Sequence, residues 1–187
     1  MTMLNWLASR RSLLRMPRLT STGATAPRGD IPRDEFSIRW DTCLRVDEPV
    51  RATFELGSDD GAYLLVDGRT IIDNGGSHIF LTKRGEIELV PGVHHLELRY
   101  SESNGGAGVT LRANGGLFAE DRLALPTVDP ATPCDPAVGE RDGSSVGPPA
   151  TPGPWRAAFF DNPRLSGQPR LITLYVGIDF DWVGPVR

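Results

Sequence analysis

The sequence predicts an all-β protein, an antiparallel β-sandwich of the jelly-roll type. Short segments with alternating apolar and polar residues recur along the chain, and alternation with a period of two is typical of half-buried strands. Turn-forming residues separate these segments. The 187 residues include 21 glycines and 16 prolines, with aromatic residues at 7%. This composition favours many strands joined by turns over a helical bundle.

The first strands are predicted from residue 36 onward. Phe36, Ile38 and Trp40 alternate with polar residues, Leu44 and Val46 continue the run, and the pattern returns over residues 52–56. Residues 62–66 form a third apolar face. Asp67 and Gly68 then separate two apolar runs, and an Asp-Gly pair in this position indicates a tight β-hairpin turn. The chain from 62 to 72 is therefore predicted to be a hairpin.

Three further strands follow in the same way. Residues 86–90 are predicted to be a strand that a Pro-Gly turn closes, and residues 93–100 alternate again. Residues 109–112 form the last clear strand before the composition changes. Short strands separated by such turns are typical of a sandwich or barrel.

The chain divides into four parts by composition. Residues 1–30 have no lasting periodicity and are predicted to be a weakly ordered tail, and residues 31–125 form the main sandwich. Residues 126–154 are rich in proline, glycine and serine, which predicts an extended linker. Strand-like patterns resume over residues 155–187, which are too few for a second domain with its own core.

Composition and missing motifs exclude several classes of function. The net charge is −4, so nucleic acid is not an expected partner. No segment approaches the roughly 20 apolar residues that a membrane-spanning helix needs, so no transmembrane segment is expected. Catalytic signatures such as a nucleophile elbow or a phosphate loop are missing, and we expect no enzyme activity. Cys43 and Cys134 are compatible with one disulfide in a secreted protein, but two cysteines alone do not decide their pairing.

The motifs themselves resemble those of a known family. The segments that carry the likeness are FSIRWDTCLRV, FELGSDDGAYLLVDGRTIIDNGGSH, GEIELVPGVHHLELRYSESNGGAGVTL and WRAAFFDNPRLSGQP. They resemble the protective-antigen fourteen-kilodalton (PA14) module, over residues 31–125 and again over 155–182. This resemblance implies a β-sandwich that occurs in adhesins, glycosidases, toxins and bacterial surface proteins, mostly as a carbohydrate-binding part. It also implies an extracellular or cell-surface location.

The order of the strands differs from the order in that family. The strands that resemble residues 155–182 open the family's module, whereas here they come last. They either fold back to complete residues 31–125 as one permuted domain, or insert into a neighbouring molecule as a strand-swapped oligomer, or begin a truncated second copy. A linker of roughly 29 residues spans up to about 95 Å, so closure within one chain is sterically easy. We expect the permuted single domain.

The resemblance also implies a calcium site. In the sugar-binding adhesins of the family, a pair of aspartates that matches Asp59 and Asp60 holds Ca²⁺ across a cis peptide bond, and the ion takes hydroxyls of the glycan. An asparagine from a late loop adds a ligand, and Asn104 occupies that loop here, with Glu102 as an alternative. Calcium prefers six to eight oxygen ligands of this kind. The alternative interpretation is that both aspartates only shape their turn.

Two more residues are candidates for ligand binding at the same end. Asp73 and Asn74 bring oxygens close to the aspartate pair along the chain, although an Asn-Gly turn explains them equally well.

The expected function is a non-catalytic carbohydrate-binding or adhesion module that takes a glycan or a surface polysaccharide with the help of calcium. The alternatives are an interaction module without sugar binding and an accessory fragment of a glycan-processing enzyme.

Overall fold

The computed structural model describes residues 31–127, 132–134 and 154–182. Within these residues the chain is almost entirely β-structure, in two antiparallel sheets that pack against each other, and the predicted fold class is confirmed. The predicted tail over residues 1–30 and most of the predicted linker lie outside the described residues. The described part has no helix long and apolar enough to cross a membrane.

The strands of the described part follow one another closely, with one short 3-10 helix at Glu120–Arg122. The strands are β1 (Phe36–Val46), β2 (Val50–Asp59), β3 (Gly61–Val66), β4 (Arg69–Asn74), β5 (Leu81–Leu89), β6 (Gly92–Glu102), β7 (Gly108–Ala113), β8 (Leu123–Ala124), β9 (Trp155–Phe160), β10 (Leu171–Tyr175) and β11 (Asp179–Asp181).

One sheet has the order β10-β9-β1-β6-β3-β4, with β8 also paired to β1, and the other has the order β11-β7-β2-β5. The strands β1 and β6 pair along their whole length, from Phe36 opposite Glu102 to Val46 opposite Gly92. Apolar residues at alternate positions, among them Trp40 and Leu98, have no exposed surface. The two sheets therefore enclose one apolar core, as the period of two predicts.

The C-terminal strands belong to these same two sheets. Strand β9 pairs with β1, and β11 pairs with β7. The hydroxyl of Ser37, which is fully buried, donates to the carbonyl of Asn162 (2.6 Å) and accepts from the amide of Leu165 (3.0 Å). Residues 155–181 thus supply strands to both layers of the sandwich within one chain. Whether this arrangement is a permutation of the family's strand order stays a prediction.

The start of the predicted linker is attached to β1. Cys43 and Cys134 form a disulfide across 91 positions of sequence, which answers the question that the sequence left open. Just before this segment, the hydroxyl of Thr42 donates to the carbonyl of Ala124 at 3.2 Å. The segment itself is joined covalently to β1 at Cys134.

Candidate functional site

The loops at one end of the sandwich bring the predicted site residues together. Asp59 ends β2 and lies opposite Gly108, the first residue of β7. Glu102 ends β6, and Gly61 lies opposite Ser101 on that strand. Three carboxylates thereby meet at one end of the molecule, and we call Asp59, Asp60 and Glu102 the acid cluster.

Asp60 holds three loops together. Its side chain is only 3% exposed, and its Oδ1 accepts hydrogen bonds from the Ser77 hydroxyl (2.8 Å) and the His78 amide (2.9 Å). Its Oδ2 accepts from the Ser103 amide at 2.9 Å, and the nearby Asn104 amide further lowers its pKa. Burial raises the pKa of Asp60, but these hydrogen bonds outweigh burial and hold the pKa below its usual value. Asp60 is therefore a charged, structurally engaged carboxylate.

Asp59 is the less engaged member of the pair. It is half-buried, the peptide bond that joins it to Asp60 is cis, and the nearby amide of Phe80 acts to lower its pKa. Its Oδ2 lies 3.1 Å from the place where a Cβ on Gly106 would stand, so the glycine lets the late loop approach it. Burial, and next the charge of Asp60, raise the pKa of Asp59. This carboxylate is the one best placed to accept a further ligand.

Glu102 lies beneath the pair and is fully buried. The Tyr100 hydroxyl lies 2.8 Å from its Oε2 and 2.5 Å from the carbonyl oxygen of Asp59. One hydroxyl hydrogen serves only one of these two acceptors at a time, so a proton on Glu102 would supply the second hydrogen bond. Burial, assisted by the charges of Asp60 and Asp59, raises the pKa of Glu102 to about 7. Its Oε1 has no hydrogen-bond partner among the described residues.

His78 brings positive charge to the acid cluster. Its Nε2 lies 3.0 Å from the carbonyl oxygen of Asn74, and its Nδ1 lies 3.0 Å from that of Ile79. Carbonyl oxygens only accept, and a neutral imidazole has one N–H, so the protonated ring suits this position best. The bond to Asn74, more than any other contact, raises the pKa of His78, and the charges of the aspartate pair add to that effect.

Asn104 follows Ser103 in the late loop and is exposed. Its backbone amide helps to lower the pKa of Asp60, so the loop lies against the aspartate pair. The role of Asn104 as an ion ligand stays a prediction.

The side chains of Asp73 and Asn74 form hydrogen bonds within and beside their own turn. Oδ1 of Asp73 accepts from the amide of Gly75 at 3.0 Å, as in an Asx turn. Asn74 is fully buried, and its side-chain amide donates to the Ser58 hydroxyl (2.8 Å) and the Leu81 carbonyl (3.0 Å). The structure thus places Asp73 on the surface near the acid cluster and Asn74 inside, between β2, β4 and β5.

Sequence reasoning overlooked the partners that organise the acid cluster. Ser77 and Ser103 come from different loops, and nothing in their local sequence indicates that they bind Asp60. The pairing of Tyr100 with Glu102 does have a signal, because residues two apart on a strand share a face. Both side chains are buried on the inner face of β6.

The donor set suits a hard cation. Carboxylates and an amide oxygen are the ligands that Ca²⁺ takes, and Asp59, Asp60 and Asn104 offer such oxygens at one end of the fold. Burial and the neighbouring carboxylates raise the pKa values of Asp59 and Glu102. The raised values indicate that the negative charge of the acid cluster is only partly balanced by positive charge. The buried and unpartnered Oε1 of Glu102 points to the same imbalance. The residue types present are those that the implied ion takes, and calcium binding here stays a prediction.

A second group with metal-ligating side chains lies on the outer face of the larger sheet. Asp41, His95 and Glu97 place one ligand atom each within 4.8 Å of the others. Asp41, however, already pairs with the guanidinium groups of Arg39 (3.0 Å) and Arg156 (3.8 Å). These cations balance the carboxylate, so this group is better explained as an ion-pair network that holds β9 to β1.

The fold and the site together define the class of the protein. It is a β-sandwich module with the acid cluster at one end. The chain belongs to the PA14 domain family, whose pattern matches residues 20–115. No curated protein matches the chain.

Three solved structures are similar in part. An anti-sigma factor domain-containing protein is 25% identical with a TM-score of 0.46, and the match covers 50% of this chain and 33% of that one. A PA14 sugar-binding domain from an RTX adhesin is 28% identical with a TM-score of 0.37, over 44% of this chain and 49% of that one. An anti-sigma factor domain-containing protein from Clostridium clariflavum is 24% identical with a TM-score of 0.45, over 81% and 49%. This chain spans less than half the length of each of these three.

Proposed function

We propose that the chain is a non-catalytic carbohydrate-binding or adhesion module that uses calcium at the acid cluster. Asp59, Asp60 and Asn104 would hold the ion, and Asp73 and Asn74 would shape the neighbouring loop. When bound, calcium supplies open coordination positions that vicinal sugar hydroxyls occupy. The glycan partner would be a cell-surface polysaccharide or a glycoconjugate.

The observation that carries the proposal is the environment of the Asp59 carboxylate. Its carboxylate is half-buried beside the charged Asp60, and burial and that charge raise its pKa. The charge of His78 and the nearby Phe80 amide act to lower that pKa, whereas Asp60 accepts hydrogen bonds from Ser77, His78 and Ser103. A divalent cation would neutralise this charge, and the motif resemblance supplies the reason to expect calcium there.

An extracellular or cell-surface location is part of the proposal. The disulfide between Cys43 and Cys134 supports it, because disulfides persist in oxidising compartments and are rare in the cytosol. An extracellular location also provides calcium at the concentrations that weak sites of extracellular modules need.

The function is tested on a glycan array, with the whole chain applied in millimolar calcium and again with EDTA. We expect glycan binding that EDTA abolishes and that Asp59→Asn removes. Asp47→Asn is the matched control, because Asp47 is an exposed carboxylate, in the turn between β1 and β2 at the opposite end of the sandwich. An array without binding in calcium would contradict the proposal, as would binding that persists in both EDTA and Asp59→Asn.

A second candidate is an interaction module that binds no sugar. The hydrogen bonds of Asp60 favour it, because that carboxylate already joins residues 77–78 to residues 103–104 without an ion. In that case calcium would change neither the stability nor the binding properties of the protein.

The quaternary arrangement is open to a separate test. Strands β9 to β11 would make the same pairs after exchange between two copies, which would give the strand-swapped oligomer. Light scattering after size-exclusion chromatography distinguishes the two: a monomer supports closure within one chain, and a stable dimer supports exchange.

A further inference from the structure

Three consecutive apolar side chains lie exposed beside the acid cluster. Ile79, Phe80 and Leu81 are 86%, 51% and 43% exposed, in the segment that leads into β5. Among the described residues, no other run of large apolar side chains is exposed in this way. Exposed apolar groups next to polar groups are typical of a binding surface.

The ring of Phe80 rests on a floor made by two glycines. A Cβ on Gly57 would lie 2.7 Å from Cζ of the ring, and a Cβ on Gly108 would lie 3.8 Å from Cδ2 and Cε2. Gly57 belongs to β2 and Gly108 to β7, and these strands are neighbours in the smaller sheet. The missing side chains let the ring cover the backbone of both strands while about half of its surface faces solvent.

The same ring is adjacent to Asp59. Residues 57 and 59 lie on one face of β2, because side chains alternate along a strand. Gly108, over which the ring lies, is the residue directly opposite Asp59. An aromatic face and an acidic oxygen cluster therefore stand side by side on one surface.

We infer that Phe80 is the stacking platform for the sugar ring whose hydroxyls are taken at the acid cluster. The inference rests on the proposed function and adds the class of ligand. A hexopyranose has a rim of hydroxyls and an apolar face of C–H groups, and it needs both kinds of partner at once. The acid cluster suits the rim, and the quadrupole of an aromatic face suits C–H groups. A terminal hexopyranose is the ligand that this pair of surfaces fits.

The alternative is that the ring only covers the two glycines. A ring that lies over two surface glycines exposes its other face in either role, and about half of Phe80 is exposed. The two roles also differ in what substitution does: a cover affects stability alone, whereas a platform affects sugar affinity at unchanged calcium response.

The test uses the whole chain and a panel of neutral methyl hexopyranosides, measured by titration calorimetry in millimolar calcium. Phe80→Ala should weaken binding about tenfold, and Phe80→Trp should retain it. Gly57→Ala should also weaken binding, because the new Cβ lifts the ring from its floor. Val90→Ala is the matched control, since Val90 is a 64% exposed apolar residue beyond the far end of β5.

Two readouts separate the possible failures. The rise of the unfolding temperature with calcium should be the same in Phe80→Ala as in the native protein, because the ring is not an ion ligand. Saturation transfer from aromatic protons to one face of the sugar should vanish in this variant. Equal affinity of the native protein and Phe80→Ala would overturn the platform alone, whereas a native protein that binds none of the sugars would overturn the proposed function and the platform with it.

Discussion

Removing the charge of Glu102 should stabilise the calcium-free protein at alkaline pH. Glu102 is fully buried, and its pKa is raised from 4.5 to about 7. Between these values the folded state binds more protons than the unfolded state, so the stability of the protein falls as pH rises through this window. At about 1.4 kcal/mol per pKa unit, the loss is about 3 kcal/mol once Glu102 is ionised.

Urea unfolding of the native protein and of Glu102→Gln, in EDTA at a series of pH values from about 5 to 8, measures this effect. The variant should match the native protein near pH 5, where Glu102 is protonated, and exceed its stability by about 3 kcal/mol near pH 8. Glu88→Gln is the control, because it removes an exposed carboxylate from β5, away from the acid cluster. A Glu102→Gln difference that stays constant with pH, or that grows in favour of the native protein, would refute the reasoning.

Three further predictions concern the attachments to β1. Replacing Cys43 by serine should lower the free energy of unfolding by roughly 2–4 kcal/mol, because the bond to Cys134 closes a long loop; an unchanged urea midpoint would contradict this. Ser37→Ala should lower the free energy of unfolding by about 1–3 kcal/mol, since two part-buried backbone groups lose their hydrogen-bond partner, and an unchanged stability would argue against these bonds. Burial raises the pKa of Asp41, but the hydrogen bond from His95, assisted by neighbouring arginines, holds it below 3.8. Its stabilisation is therefore present above pH 3.8 and lost as pH falls through the lowered pKa, so Asp41→Asn should be less stable at neutral pH, with a gap that narrows in acid.

The strands were predictable because burial decides most of them. Along β1 and β6 alternate side chains enter the core, and the sequence alternates accordingly. β5 differs: the prediction began at residue 86, whereas the strand begins at Leu81. Most of residues 81–85 are exposed, so they follow no alternating pattern, and their strand forms by pairing with β2. Backbone pairing of this kind leaves little trace in a single sequence.

The site was predictable only in outline. The resemblance directed attention to Asp59 and Asp60, but the donors that hold Asp60 come from loops 17 and 43 positions away. Local sequence does not specify contacts at such separations. Phe80 escaped notice for a similar reason, because its floor consists of two glycines on strands that only the fold brings together.

The most direct test of calcium binding at the acid cluster is thermal unfolding of the native protein with and without millimolar calcium. A ligand present at about 100 times its dissociation constant stabilises the folded state by about 2.7 kcal/mol. A calcium site at the acid cluster predicts a calcium-dependent rise of the unfolding temperature that Asp59→Asn abolishes and Asp47→Asn retains. A native protein whose unfolding temperature does not respond to calcium would contradict an ion site at the acid cluster. Asp60 would then serve only to join its neighbouring loops by hydrogen bonds.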